Sequence, residues 1–181
     1  MNFTQDWFTN NIPNFETCKR ILNEPKSCLE IGSFEGRATC WMLENLVTSY
    51  GHMVCVDTFK GGEEHTGLDL SDLRKTFNSN VAEVLGMAQT LEVVDKMSWI
   101  ALAEFVGKKM FDFIYVDGSH KTADVLLDAC LAFKLLKPDG IILFDDYGHG
   151  DVKQAVDAFL AANSGRYELV LSDYQLAIQK V

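Results

Sequence analysis

The sequence predicts an α/β fold, a mostly parallel sheet with helices on both faces, and three observations carry that prediction. Short apolar runs rich in β-branched residues alternate with amphipathic stretches along nearly the whole chain. The middle runs are continuously apolar, as strands covered on both faces should be. The last two runs are separated only by SDYQ (172–175), too short for a helical crossover, so they should pair antiparallel at the end of the sheet.

The elements follow in order. Strand candidates are Cys28 to Ile31, Met53 to Val56, Leu91 to Val94, Phe113 to Val116, Ile141 to Phe144, Tyr167 to Leu171 and Leu176 to Ile178. Ala38, Met42 and Leu46 recur at the spacing of one helix face, and so do Leu127, Leu131 and Leu135. Ser71 to Leu85 and Val152 to Leu160 also read as helices. LKPDG (136–140) reads as a helix stop and turn, because proline presets φ and glycine accepts a positive φ. A chain of 181 residues has room for one full core, so residues 1–181 are expected to form a single domain, with 1–25 as an N-terminal cap segment.

Composition excludes several function classes. Hydrophobic residues make up 48% of the chain, which marks it as globular rather than disordered. No apolar run approaches the ~20 residues of a membrane helix, and Met1 to Leu22 carries acids, amides and a proline where a signal peptide would be apolar. A net charge of −10 argues against nucleic acid as partner, since phosphate backbones demand basic patches. The five cysteines are odd in number and include no C-x-x-C, so free thiols in a reducing cytoplasm are expected.

The first candidate site is LEIGSFEGR (29–37), where the first strand hands over to the first core helix. Gly32 and Gly36 let the backbone turn tightly and approach a ligand, and the helix behind them offers unbonded N–H groups. The pattern is E-x-G-x-x-x-G rather than the G-x-G-x-x-G of a dinucleotide site. Glu30 at the strand end would repel phosphate but suit an ammonium group. The second strand ends at Asp57, a position from which an acid commonly accepts ribose hydroxyls. Together they favour a nucleoside with an amino-acid tail, and S-adenosylmethionine (SAM) is such a molecule. Each feature alone is satisfied by a simple turn and a solvated cap.

The second site is acidic. Phe113 to Val116 runs into Asp117, and Ile141 to Phe144 runs into Asp145 and Asp146. The intervening segment fits one helical crossover, which should make the two strands neighbours about 4.8 Å apart. Asp117 and Asp145 would then emerge together where open α/β sheets bind ligands. Like charges about 4 Å apart repel by about 4 kcal/mol at an effective dielectric of about 20, and a divalent cation would remove that cost. An all-oxygen set suits Mg²⁺, Ca²⁺ or Mn²⁺. Asp145 and Asp146 share a cation only if the chain bends directly after the strand; otherwise Asp145 alone faces the site and Asp146 caps the next helix. His120, on the turn after Asp117, is a candidate general base; His149 and His65 are weaker ones.

These motifs resemble the class I SAM-dependent methyltransferases, and more narrowly the methyltransferase 24 branch. The resemblance runs through NFTQDWFTNNIP, LEIGSFEGRATCWMLENL, VDTFKGGEEH, FDFIYVDGSHKTADVLLDACLAFKLLKPDGIILFDDY and QLAIQK. It implies a Rossmann-like sheet of seven strands in the order 3-2-1-4-5-7-6, with strand 7 antiparallel. It implies a donor site at Glu30, Gly32, Ser33, Gly36 and Asp57, and near Met97 and Ser98, with Phe34, Thr58 and Asp117 beside them. Metal-dependent O-methyltransferases of related type hold their cation with acids matching Asp117, Asp145 and Asp146, and in the sugar enzymes a histidine matching His120 is the proposed base. Relatives often carry serine where Ala38 stands, with Thr39 as the neighbouring hydroxyl, and the usual PGG turn is PDG here.

The expected function is therefore methylation of a small hydroxylated substrate, a sugar, polyol or catechol, from SAM with the help of a divalent cation, Mg²⁺ first. KGGEEHTG (60–67) is the candidate lid, its glycines permitting hinging, and an ordinary solvated loop is the alternative. Trp7 and Phe8 are placed either as a roof on the acceptor pocket or in packing. Rival readings are a non-catalytic SAM-binding or partner-binding domain and a nicotinamide oxidoreductase; no membrane partner is expected, and assembly as a homo-oligomer is left open.

Overall fold

A computed structural model describes residues 1–62 and 65–181. Seven strands form one sheet: β1 (Ser27–Ile31), β2 (His52–Asp57), β3 (Thr90–Asp95), β4 (Phe111–Val116), β5 (Leu136–Phe144), β6 (Tyr167–Ser172) and β7 (Leu176–Lys180). Their order is β3-β2-β1-β4-β5-β7-β6. The five N-terminal strands run parallel, and β7 pairs antiparallel with both β5 and β6. This is the Rossmann-like methyltransferase topology expected above.

Among the described residues there are six α-helices, one before the first strand and five between strands: α1 (Ile12–Leu22), α2 (Arg37–Asn45), α3 (Leu73–Val84), α4 (Ser98–Phe105), α5 (Thr122–Leu135) and α6 (Gly150–Ala162). Alternate residues of each central strand feed different cores. Leu29, Val54, Ile114 and Ile142 pack with buried residues of α4, α5 and α6, whereas Cys28, Met53, Phe113 and Ile141 pack with those of α1, α2 and α3. Period-two alternation between two apolar layers is why the strand sequences read as unbroken hydrophobic runs. No helix of the described residues is long and apolar enough to cross a membrane.

Two expectations change on packing. Of the stripe Leu127–Leu131–Leu135, Leu135 is fully buried and Leu131 packs partly on the core, but Leu127 is 44% exposed; Val125, Asp128, Ala129 and Ala132 make up the rest of the inward face of α5. They recur at i, i+3, i+4 and i+7, which is also a helical face, turned one residue further round. LKPDG is not a turn outside the strand but part of β5. Leu136 already pairs with Phe111, and the register shifts between Phe111 and Phe113, so the extra residues are absorbed as a bulge with Asp139 at φ +62°. Among the cysteines, all free, four are buried and Cys130 is exposed.

Register sets the site. Ile31 pairs with Val56 and with Val116, and Val116 pairs with Phe144. The next residue of each strand still bonds back: Gly32 N–H to Val56 O at 2.9 Å, Asp117 N–H to Ile31 O at 2.8 Å, Asp145 N–H to Val116 O at 2.9 Å. Gly32, Asp57, Asp117 and Asp145 therefore leave the sheet at one level on its carboxyl edge.

Candidate functional site

Close backbone approach builds the loop after β1. Gly32 has φ +84°, and a Cβ there would lie 1.9 Å from the carbonyl oxygen of Asp117. Gly36, at φ +82°, precedes α2, and a Cβ there would sit 2.9 Å from the Phe77 ring. The loop is pinned from two sides. Asp57 accepts from the N–H groups of Ser33 (2.7 Å), Phe34 (2.9 Å) and Phe59 (2.6 Å). Glu30 accepts from the Ser33 hydroxyl (2.6 Å), the Thr39 hydroxyl and the Cys55 thiol (3.3 Å). Burial pushes the Glu30 carboxyl up to about 7, against the lowering effect of those bonds.

Glu30 is thus an interior brace of the loop; its Oε1 is buried without a hydrogen-bond partner among the described residues. Thr39, next to Ala38, spends its hydroxyl on Glu30. Thr58 accepts from the Lys60 N–H at 3.3 Å. Met97 precedes α4 and is 49% exposed, and Ser98 opens that helix.

At the ends of β4 and β5 the acids separate into two environments. Asp117, His120 and Asp146 come together, each offering one ligand atom, and these atoms all lie within 4.8 Å of one another. His120 Nε2 is 2.6 Å from Asp146 Oδ2, and the Tyr174 hydroxyl also donates to Asp146. Asp145 lines the same recess but is not one of the three. Its buried carboxylate accepts from Asn11 (3.2 and 3.3 Å), Gln175 (2.9 Å), the Tyr115 hydroxyl and the N–H of Asp146 (2.9 Å). The bend lies at Asp146, whose φ of +51° swings its side chain off the strand direction. The Tyr115 hydroxyl links the two environments, because it also reaches Asp117 at 3.1 Å.

The electrostatics differ accordingly. Burial, then the charges of Asp145 and Asp146, hold the Asp117 carboxyl well above its usual range. Asp145 is raised by burial, with the Tyr115 bond opposing. Burial works to raise Asp146 too, but the bonds from His120 and Tyr174 outweigh it and hold this carboxyl below its usual value. A recess at this edge is lined by Asp117, Ser119, His120, Asp145 and Asp146.

His149 lies beside His120, ring centroids 5.9 Å apart. His65 stacks on Phe34 at 4.8 Å, and Trp7 packs on both rings, so the candidate lid and the N-terminal segment meet over the loop after β1. Glu63 and Glu64 of that lid lie outside the described residues. Phe8 is buried against Phe15 and Trp41.

Sequence reasoning missed Asn11, Tyr115, Gln175 and Asp128. Tyr115 carried a signal, a hydroxyl inside a buried strand that must find a partner, and so did Asp128, an acid on an otherwise apolar helix face. Asn11 and Gln175 carried none, since their partner is distant in sequence.

A family model described as a methyltransferase domain matches residues 29–147. No curated protein matches the chain. Among solved structures, the O-methyltransferase from Bacillus cereus in complex with SAH is similar over 98% of this chain and 84% of its own, at 18% identity and a TM-score of 0.69. The O-methyltransferase TomG from Streptomyces achromogenes, involved in tomaymycin synthesis and in complex with SAM, is similar over 94% and 79%, at 18% identity and a TM-score of 0.65. The ribosomal protein L11 methylase from Lactobacillus delbrueckii subsp. bulgaricus is similar over 92% and 75%, at 16% identity and a TM-score of 0.63. At such identities the likeness establishes the fold; acceptors as different as these share it.

Proposed function

Since the chain belongs to the methyltransferase domain family, with the class I fold of SAM-dependent enzymes, we propose that it methylates a hydroxyl oxygen of a small acceptor with the help of a divalent cation. The observation that carries this reading is the meeting of Asp117, His120 and Asp146 beside the glycine loop, with the Asp117 carbonyl against Gly32.

The residues fit the donor. The orphaned Oε1 of Glu30 leaves acceptor capacity at the end of β1, and Gly32 lets the loop after β1 close tightly on the turn after β4. SAM, when bound, supplies an electrophilic methyl group. Asp57 retains lone pairs for hydroxyls while holding the loop in shape.

The residues also fit a cation. Asp117 and Asp146 bring carboxylate oxygens to one point, and burial, followed by the charges of Asp145 and Asp146, raises the Asp117 carboxyl, a cost that a cation would relieve. Such an ion, when bound, lowers the pKa of a hydroxyl it touches. Asp145, already surrounded by donors, would support this pair from behind through Tyr115. His120, oriented by Asp146, would take the acceptor proton as the oxygen attacks the methyl carbon, the S–CH3 bond breaking with its electron pair left on sulfur so that S-adenosylhomocysteine departs as a neutral thioether. Holding the two reactants in line is where most of the acceleration would arise. The net charge of −10 disfavours a nucleic-acid acceptor and supports a small one.

The test is methyl transfer from labelled SAM to a panel of sugars, polyols and catechols, with Mg²⁺ and with EDTA. Transfer to oxygen that needs Mg²⁺ and is lost in Asp117→Ala supports the reading. Transfer that survives both removes the cation and leaves the donor site. Absence of SAM binding removes the reading altogether.

A further inference from the structure

Glu35 is an acid within the donor loop that the reaction above does not use. It sits in the turn closed by the bond from Gly36 N–H to Ser33 O at 2.7 Å, and it is 6% exposed. One residue of the N-terminal segment occupies both of its carboxylate oxygens. Oε2 accepts from the Thr4 N–H and Oε1 from the Thr4 hydroxyl, at 2.7 Å each. The Glu35 carbonyl accepts from the side-chain amide of Asn80 at 2.9 Å. That amide also pairs with the backbone of Asn2, donating to its carbonyl (2.8 Å) and accepting from its N–H (2.6 Å).

The loop residues on either side meet the same segment. Trp7 packs on Phe34 with ring centroids 5.2 Å apart, and Arg37 donates to Gln5 O at 3.1 Å. Residues 2–7 therefore lie along residues 34–37. On its other side the loop is held by Asp57, through the N–H groups of Ser33 and Phe34. Apolar contact alone would keep a segment docked, and burying a carboxylate to do so costs desolvation. What two charge-assisted bonds to one residue add is direction, because they fix how the loop stands against the segment.

We propose that Glu35 is a positioning residue of the donor site: bonded to Thr4, it holds the loop after β1 in the shape that receives SAM, so that docking of the N-terminal segment and binding of SAM strengthen each other. The inference rests on the donor-site reading above. Neither Glu35 nor Thr4 need touch the donor.

Calorimetric titration of the full chain with SAM, and hydrogen exchange at the Thr4 amide, test this. Glu35→Ala should weaken SAM by at least about fivefold, the lower end of the coupling usual between linked sites. Reciprocity then requires saturating SAM to slow exchange of the Thr4 N–H in the wild-type chain. Glu35→Gln should bind SAM within about twofold of wild type, because its oxygen still accepts from the Thr4 N–H and its amide can donate to the Thr4 hydroxyl. Adding Thr4→Val to Glu35→Ala should weaken SAM no further, since both remove the same link. A residue serving stability alone would lower Tm and leave the SAM affinity of the folded variant unchanged, and that result overturns the inference. A glutamine variant as weak as the alanine one overturns it as well. If Glu35→Ala does not fold, the wild-type exchange decides: a Thr4 rate that SAM leaves unchanged removes this inference alone. Wild-type chain that binds no SAM removes the donor site and this inference together.

Discussion

A methyl group at position 32 would collide with the Asp117 carbonyl at 1.9 Å, and φ there is +84°, so both the space and the backbone demand glycine. Gly32→Ala should lower stability by more than about 2 kcal/mol and abolish SAM binding, as read by denaturant melts and calorimetry. At His120 the expected loss is catalytic. His120→Ala should reduce kcat by about 10²–10⁴ in the labelled-methyl assay, with SAM affinity near wild type. A weakened SAM affinity with unchanged kcat would instead place the ring in donor binding. The neighbouring acids show what one residue's backbone can decide. Asp145 and Asp146 are adjacent and chemically alike, yet the turn at Asp146 sends one to His120 and the other to Asn11 and Gln175. The pair was visible in the sequence. The division of labour was not, because it depends on a single dihedral angle.

The first eleven residues act as a strap fastened along its length. The Asn80 amide donates to Asn2 O (2.8 Å), Thr4 donates twice to Glu35 (2.7 Å each), and Asn11 reaches Asp145. Each fastening joins segments remote in sequence, so periodicity could not reveal it. Removing the last one by Asn11→Ala should cost about 1 kcal/mol in urea unfolding, at the low end because Gln175 and Tyr115 still bond Asp145. Helix α5 teaches a related lesson. Its helical character was legible, but its rotation was not, since Leu127 and Ala129 both lie on apolar repeats and only the neighbouring helices choose between them. Leu127→Gln should change stability by no more than about 0.5 kcal/mol. Ala129→Leu, fully buried, should destabilise by about 1–3 kcal/mol in the same measurement.

The whole molecule carries a pH signature. Glu30 and Asp128 titrate near 7 when folded, against about 4 in the unfolded chain. The folded state therefore binds more protons at these two carboxyls between those values, so their contribution to stability falls as pH rises from about 4 to about 7, and Asp117, held well above its usual range, adds to that fall. Tm of the ligand-free protein measured across that range should decline, and a Tm that climbs instead would show both carboxyls ionised in the interior. Much of this molecule was written locally. Hydrophobic period, turn residues and the acids at strand ends determined the α/β class, the strand positions to within a few residues, and the edge where a site would form, because each follows from residues near in sequence. The tertiary structure alone decided which way the side chains at that edge face. Glu30 turns inward on Ser33 and Thr39, Asp145 is enclosed by donors from both ends of the chain, and Asp128 lies beneath Gly118. Those outcomes depend on partners brought together only by folding, and a carboxylate's direction is set by the donors it finds.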